Sequence, residues 1–157
     1  MNRFTRLTLL LALVTALFVM NGCTVGQVAK PGATGSQTLT ETQAVEVLRT
    51  NPVYFAYDRY DLDTAARNDL RQKSDILKQF PRISMQIEGH CDERGTEEYN
   101  LALGERRARA VYDYLLMLGV PASQLSTHSY GKMYPAVQGN SEAAWSKNRR
   151  AEFNASR

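Results

Sequence analysis

Hydrophobic and polar positions change period several times along the chain, and each change marks an element. Val53-Tyr54-Phe55-Ala56-Tyr57, a β-branched and aromatic run between Asn51-Pro52 and Asp58, predicts a strand. Asp63 and Thr64 suit the start of a helix whose apolar positions Ala66, Leu70, Leu77 and Phe80 recur at helical spacing until Pro81 stops it. Ile83, Met85 and Ile87 then alternate with Ser84, Gln86 and Glu88, the period of a half-buried strand ending at Gly89. After a polar stretch from His90 to Glu98, Leu101, Ala108, Val111, Leu115 and Leu118 share one helical face before Gly119. Leu125 to Tyr130 predicts a third strand and Glu142 to Arg149 a shorter helix. Ala151, Phe153 and Ala155, alternating with Glu152 and Asn154, predict a last strand. The order is β-α-β-α-β-α-β. Strands joined by helical crossovers favour parallel pairing with helices against the sheet, so the expected fold class is α/β, a two-layer sandwich.

The N-terminal region follows a different rule. Two arginines, Arg3 and Arg6, precede an uncharged run from Leu7 to Met20, then Asn21-Gly22-Cys23. That is the layout of a secretion signal. As a helix the run rises only about 21 Å, short of the roughly 30 Å hydrocarbon core of a bilayer, so a permanent span is disfavoured. Met20 stands where ordinary signal cleavage before Cys23 wants a small residue. The segment resembles instead the lipobox of bacterial lipoproteins, from whose commonest pattern Met20 and Asn21 depart; the resemblance implies lipid transfer to Cys23. Thr24 follows, rather than the aspartate associated with retention in the inner membrane, which implies the outer membrane. Residues 1–22 are thus expected to be a signal peptide and residues 23–45 a lipidated cysteine with a flexible tether rich in Gly, Thr, Ser and Gln. Residues 46–157 are expected to hold the folded domain, with order beginning near Pro52.

Composition narrows the functional classes. With 43% hydrophobic and 22% charged residues among 157, the chain is neither disordered nor a membrane bundle. Removing Arg3 and Arg6 reduces the formal charge from +3 to about +1, which argues against a nucleic-acid partner. The chain has two cysteines, and lipidation of Cys23 would leave Cys91 unpaired, so no disulfide framework is expected.

The chemistry-bearing segment runs from Gly89 to Arg109, where a strand end passes into a helix. Asp92 lies three residues beyond Gly89, and Arg107 sits beside the apolar stripe of the following helix. A carboxylate and a guanidinium flanking one cleft complement a zwitterion: the carboxylate accepts from an ammonium, and the guanidinium fork donates two parallel hydrogen bonds to a carboxylate. Such a pair also serves commonly as a structural salt bridge. Neither residue belongs to the apolar stripes, so either is expected to be removable without loss of the fold.

Gly-His-Cys-Asp-Glu-Arg-Gly-Thr-Glu-Glu-Tyr-Asn at 89–100, Leu-Gly-Glu-Arg-Arg-Ala at 103–108, Ser-Tyr-Gly-Lys at 129–132 and Lys-Asn-Arg-Arg-Ala-Glu at 147–152 closely resemble the peptidoglycan-associated lipoprotein family, within the wider OmpA-like group. Val-Tyr-Phe-Ala-Tyr-Asp at 53–58 resembles the family's opening strand. The resemblance implies helices packed on one mixed sheet. It also implies a function: non-covalent binding of peptidoglycan through meso-diaminopimelate of the stem peptide, Asp92 holding the ammonium and Arg107 the carboxylate. Tyr57, Asp58, Asn100, Leu103 and His90 are implied to line the groove, although Asp58 also suits a turn, Asn100 a helix cap and Tyr57 a core. A further implied partner is TolB of the Tol-Pal system, which gives the alternative of an envelope protein-interaction module. The implied location is the outer membrane, lipid-anchored, with the domain facing the periplasm.

Catalysis is not expected. Cys91 beside His90 is the one tempting pair, but neighbours on an extended chain point to opposite sides. No cofactor motif is present, and His90, Cys91 and His128 lack the close-set spacing of a metal site. Glu105 and Arg109, at i and i+4, read as a solvated helix pair. The roles of Arg149 and Arg150 stay open.

Overall fold

A capping box opens the first helix of the computed structural model, which describes residues 39–157. Thr40 Oγ1 accepts from the Gln43 amide at 3.3 Å, and Gln43 Oε1 accepts from the Thr40 amide at 2.9 Å. Helix α1 runs over Glu41–Arg49 and buries Ala44, Val45 and Leu48. Its C-terminal end is held by Lys73, 3% exposed, whose Nζ donates to Leu48 O at 3.1 Å and Thr50 O at 2.5 Å. A cation there satisfies orphan carbonyls at the negative end of the helix dipole. Order therefore starts well before Pro52, and the expected tether, drawn to residue 45, overlaps a packed helix. The signal segment, Cys23 and the rest of the tether lie outside the described residues.

The remaining elements are β1 (Val53–Tyr54), α2 (Thr64–Gln79), β2 (Ser84–His90), α3 (Glu97–Met117), β3 (Leu125–Gly131), α4 (Glu142–Asn148) and β4 (Arg150–Ser156). Asp63, Thr96 and Ser141 cap α2, α3 and α4, each side chain accepting from an amide in the first turn. The strands form one mixed sheet in the order β1-β4-β2-β3. Crossovers through α2 and α3 keep β1, β2 and β3 running in one direction, with β2 and β3 paired in parallel. The mixed sheet is the one the family resemblance implies, whereas crossovers alone favour parallel pairing: β4 inserts between β1 and β2 and is antiparallel to both. The connection from β3 to β4 runs through the ten residues 132–141 and the short helix α4, and it returns the chain to the end of the sheet where β3 leaves it.

Met85, Ile87, Ala151, Phe153 and Ala155 face the helices and meet Leu48, Leu70, Leu77, Val111 and Leu115 in one core. Each such leucine contributes about 1.5–3 kcal/mol through its burial. Alternation then sends Glu88, His90, Glu152 and Asn154 to the face away from the helices. Where β2 meets α3, Gly89 and Gly104 let two backbones nearly touch: a Cβ on Gly89 would lie 1.9 Å from Gly104 O. That close approach carries the next turn of α3, with Arg107, against the end of β2.

Candidate functional site

Beyond β2 the chain turns into a loop, Cys91–Gly95, and one cleft of about 140 Å³ opens between this loop, the segment after β1, α3 and Arg149. Tyr57, Asp58, Asp92, Asn100, Leu103 and Arg107 all line it, with Cys91, Arg94, Gly95, Tyr99 and Arg149. The space is about the size of one side-chain head group.

His90 does not join them. It is 2% exposed and stacks on Tyr130 with ring centroids 5.4 Å apart. Strand parity is the reason: Gly89 faces the helices, so the His90 side chain leaves through the opposite face and only its carbonyl reaches the cleft side. Burial, the Arg150 charge and His128 together push its pKa down to about 4 against the pull of Glu152.

Asp92 is 4% exposed and doubly paired. Arg94 grips it with Nη2 to Oδ2 at 2.5 Å and Nε to Oδ1 at 3.2 Å, and Arg149 Nη1 reaches Oδ2 at 3.3 Å. Burial raises the carboxyl's pKa, but hydrogen bonds from the Arg94 side chain and amide and from Arg149 outweigh it, holding the group below the ordinary range. The Arg94 guanidinium is itself clamped between the rings of Tyr57 and Trp145, 4.0 Å from each centroid. Arg149 is held in turn by Phe55 O and Glu142. Arg94 and Arg149 are thus site residues that linear spacing did not reveal. Arg149 carried a signal, the closing Arg-Arg pair, whereas Arg94 carried none beyond lying two residues from Asp92.

Arg107 is fully buried and ties three segments together. Nε donates to Arg59 O at 2.9 Å, Nη1 to His90 O at 2.8 Å and Cys91 Sγ at 3.4 Å, and Nη2 to Ala56 O at 3.2 Å. A guanidinium has five N–H groups, so one on Nη2 remains for a ligand. The expected fork of two parallel bonds is therefore not open in this conformation, and the expectation that the fold is indifferent to Arg107 is corrected. Burial lowers its pKa, yet a guanidinium keeps its charge.

The flanking residues resolve their alternatives. Tyr57 is 61% exposed, so it is not core. Asp58 sits in a turn at φ 54° and also accepts a hydrogen bond from Tyr99 Oη. Asn100 does not cap α3, which Thr96 does; its Nδ2 donates to Arg94 O at 2.8 Å and Thr96 O at 3.0 Å and pins the loop. Leu103 is a buried wall. Glu105 and Arg109 do not pair: Glu105 accepts from Thr127, and Arg109 meets Asp113 at 2.9 Å. Burial pushes the Cys91 thiol up to about 11, far from a nucleophile's range.

Fold and cleft define a class, and comparison with known proteins agrees with it. The sequence profile of the OmpA family matches residues 54–149. The chain belongs to the OmpA family. Its relatives include peptidoglycan-associated lipoproteins. That of Pasteurella multocida is 50% identical over 103 residues, 66% of this chain and 69% of its own length. That of Haemophilus influenzae is 41% identical over 152 residues, covering 96% of this chain and 97% of its own. The crystal structure of the peptidoglycan-associated lipoprotein from Burkholderia pseudomallei superposes with a TM-score of 0.68 at 42% identity, over 70% of this chain and 93% of that one.

Proposed function

We propose that this chain is an outer-membrane lipoprotein that binds peptidoglycan without modifying it, through the diaminopimelate of the stem peptide. The observation that carries this reading is the buried, ionised Asp92 at the base of a cleft, its partner Arg94 held between the exposed ring of Tyr57 and the half-buried ring of Trp145 rather than by the core. The side-chain ammonium of diaminopimelate takes the place of the Arg94 guanidinium on Asp92. Its carboxylate meets the remaining Nη2 N–H of Arg107. Tyr57, Asp58, Asn100 and Leu103 border the rest of the stem. No nucleophile with a base in reach lines the cleft, which suits a binding module.

The lipid anchor is assigned to Cys23, placing the domain in the periplasm beside the wall. One or two charge-assisted hydrogen bonds give about 1.5–3 kcal/mol each, so a free stem binds at roughly micromolar affinity or weaker. Tethering next to a polymeric wall raises the effective concentration and makes weak sites sufficient.

A second occupant is favoured by the rim. Tyr57, Tyr60 and Tyr99 are all about half exposed or more, with the Arg106 guanidinium 5.9 Å from the rings of Tyr60 and Tyr99. Tyrosine and arginine are the residues that protein interfaces use most. TolB is the proposed protein partner, and a Tol-Pal role in envelope integrity follows from it. Pull-down by purified sacculi, set against pull-down from periplasmic extract, tests both. Retention on sacculi supports wall binding, and capture of TolB alone supports the interaction module.

A further inference from the structure

The sheet face away from the helices holds a cluster that the cleft does not use. Glu88 and Glu152 are direct cross-strand partners on β2 and β4, and His90 follows Glu88 on the same face of β2. Two carboxylates placed opposite each other across an antiparallel pair repel. His90 adds a second cost. It is 2% exposed, and neither Nδ1 nor Nε2 has a hydrogen-bond partner. A buried polar group left in that state is destabilising unless something else satisfies it.

The ligand atoms of Glu88, His90 and Glu152 lie within 4.8 Å of one another, and His90 Nε2 stands 3.7 Å from Glu152 Oε2. In each glutamate one oxygen is already tied down. Asn154 Nδ2 donates to Glu88 Oε1 at 3.3 Å, and Arg150 Nε donates to Glu152 Oε1 at 2.7 Å. The opposite oxygens, Oε2 in each case, are left without those partners. Such outer hydrogen bonds are what fix the orientation of metal-binding carboxylates.

We infer that Glu88, His90 and Glu152 form a binding site for a divalent transition-metal cation of the zinc class. One imidazole and two carboxylates are the donors such ions accept, with water completing the shell. Ligands about 2.1 Å from a tetrahedral ion lie about 3.4 Å apart, so the cluster closes by roughly an ångström on binding. Glu88 and Glu152 are half-buried, so the closure falls to their side chains turning about the oxygens already held, while His90 is stacked on Tyr130. Two carboxylates against the Arg150 guanidinium leave one net negative charge to meet the ion. Linear spacing gives no sign of this site, because Glu152 reaches it only through the β2–β4 register. His128 lies abreast of Glu88 on β3 but falls outside the cluster.

Titration of the full chain, purified in detergent, with zinc chloride under calorimetry tests the assignment. One equivalent should bind, and the ring nitrogens of ¹⁵N-labelled His90 should shift on addition of zinc. Glu152→Gln and Glu88→Gln, at half-buried positions and with folding checked by circular dichroism, should each weaken binding at least about tenfold. His128→Ala should leave it within about threefold. An absence of binding, unchanged affinity in Glu152→Gln, or loss of binding in His128→Ala with the His90 ring unmoved would overturn it.

Discussion

Arg94 covers Asp92, donating Nη2 to Oδ2 and Nε to Oδ1, at 2.5 and 3.2 Å. A ligand ammonium must displace it, and the move is visible because Arg94 leaves the face of Trp145, the one tryptophan in the sequence. Adding a diaminopimelate-containing stem peptide should therefore change Trp145 emission, with an amplitude that saturates along the calorimetric binding curve. Emission unchanged at saturation would show that Arg94 stays in place.

Arg107, proposed to meet the ligand, is also a strut of the fold. Truncation to Ala leaves a void and removes a donor from the carbonyls of Ala56, Arg59 and His90, of which Ala56 O keeps the Arg59 amide at 3.2 Å. An unsatisfied buried acceptor costs about 1–3 kcal/mol, and since Ala56 and Arg59 are exposed residues while His90 is buried, a loss of roughly 1–3 kcal/mol is expected. Urea unfolding of Arg107→Ala measures it. Arg107→Lys should recover only part, since an ammonium cannot span three carbonyls in the guanidinium plane.

The ion pairs of Asp92 set an acid limit. Its folded pKa is lowered, so its contribution to stability is complete above the unfolded value of about 3.9 and is lost as pH falls through the folded value. Stability should thus decline from about pH 4 downwards. In Asp92→Asn that part of the decline should be missing, as thermal unfolding between pH 2 and 7 will show.

Most of the fold was legible because period and caps agree along the chain. Ile83, Met85 and Ile87 announce β2 by alternation, and α3 carries a stripe long enough to survive its many charges. Helix α1 was missed because only Ala44, Val45 and Leu48 face inward, in a segment whose composition resembles the tether before it. Its signal was the Thr40–Gln43 capping box. Periodicity gave no direction for β4; only the family resemblance implied a mixed sheet. At the site, Asp92 and Arg107 stand on either side of a strand-to-helix turn and come together through local geometry. His90 carried a usable signal that was overlooked: parity with Ile87 and Gly89 already sends it to the other face. Arg94 and Arg149 act through Asp92 across the fold, a relation that no spacing encodes.

Asp92 is proposed to recognise the ammonium of a wall peptide, and Arg107 to make diaminopimelate preferable to lysine. Sedimentation of the full chain with diaminopimelate-type and lysine-type sacculi, alongside folded Asp92→Asn, tests this most directly. The single carboxylate bond at Arg107 predicts a preference for diaminopimelate walls of about tenfold, and Asp92→Asn should lose at least tenfold on both. Equal binding to the two wall types, or full binding by Asp92→Asn, would contradict the account.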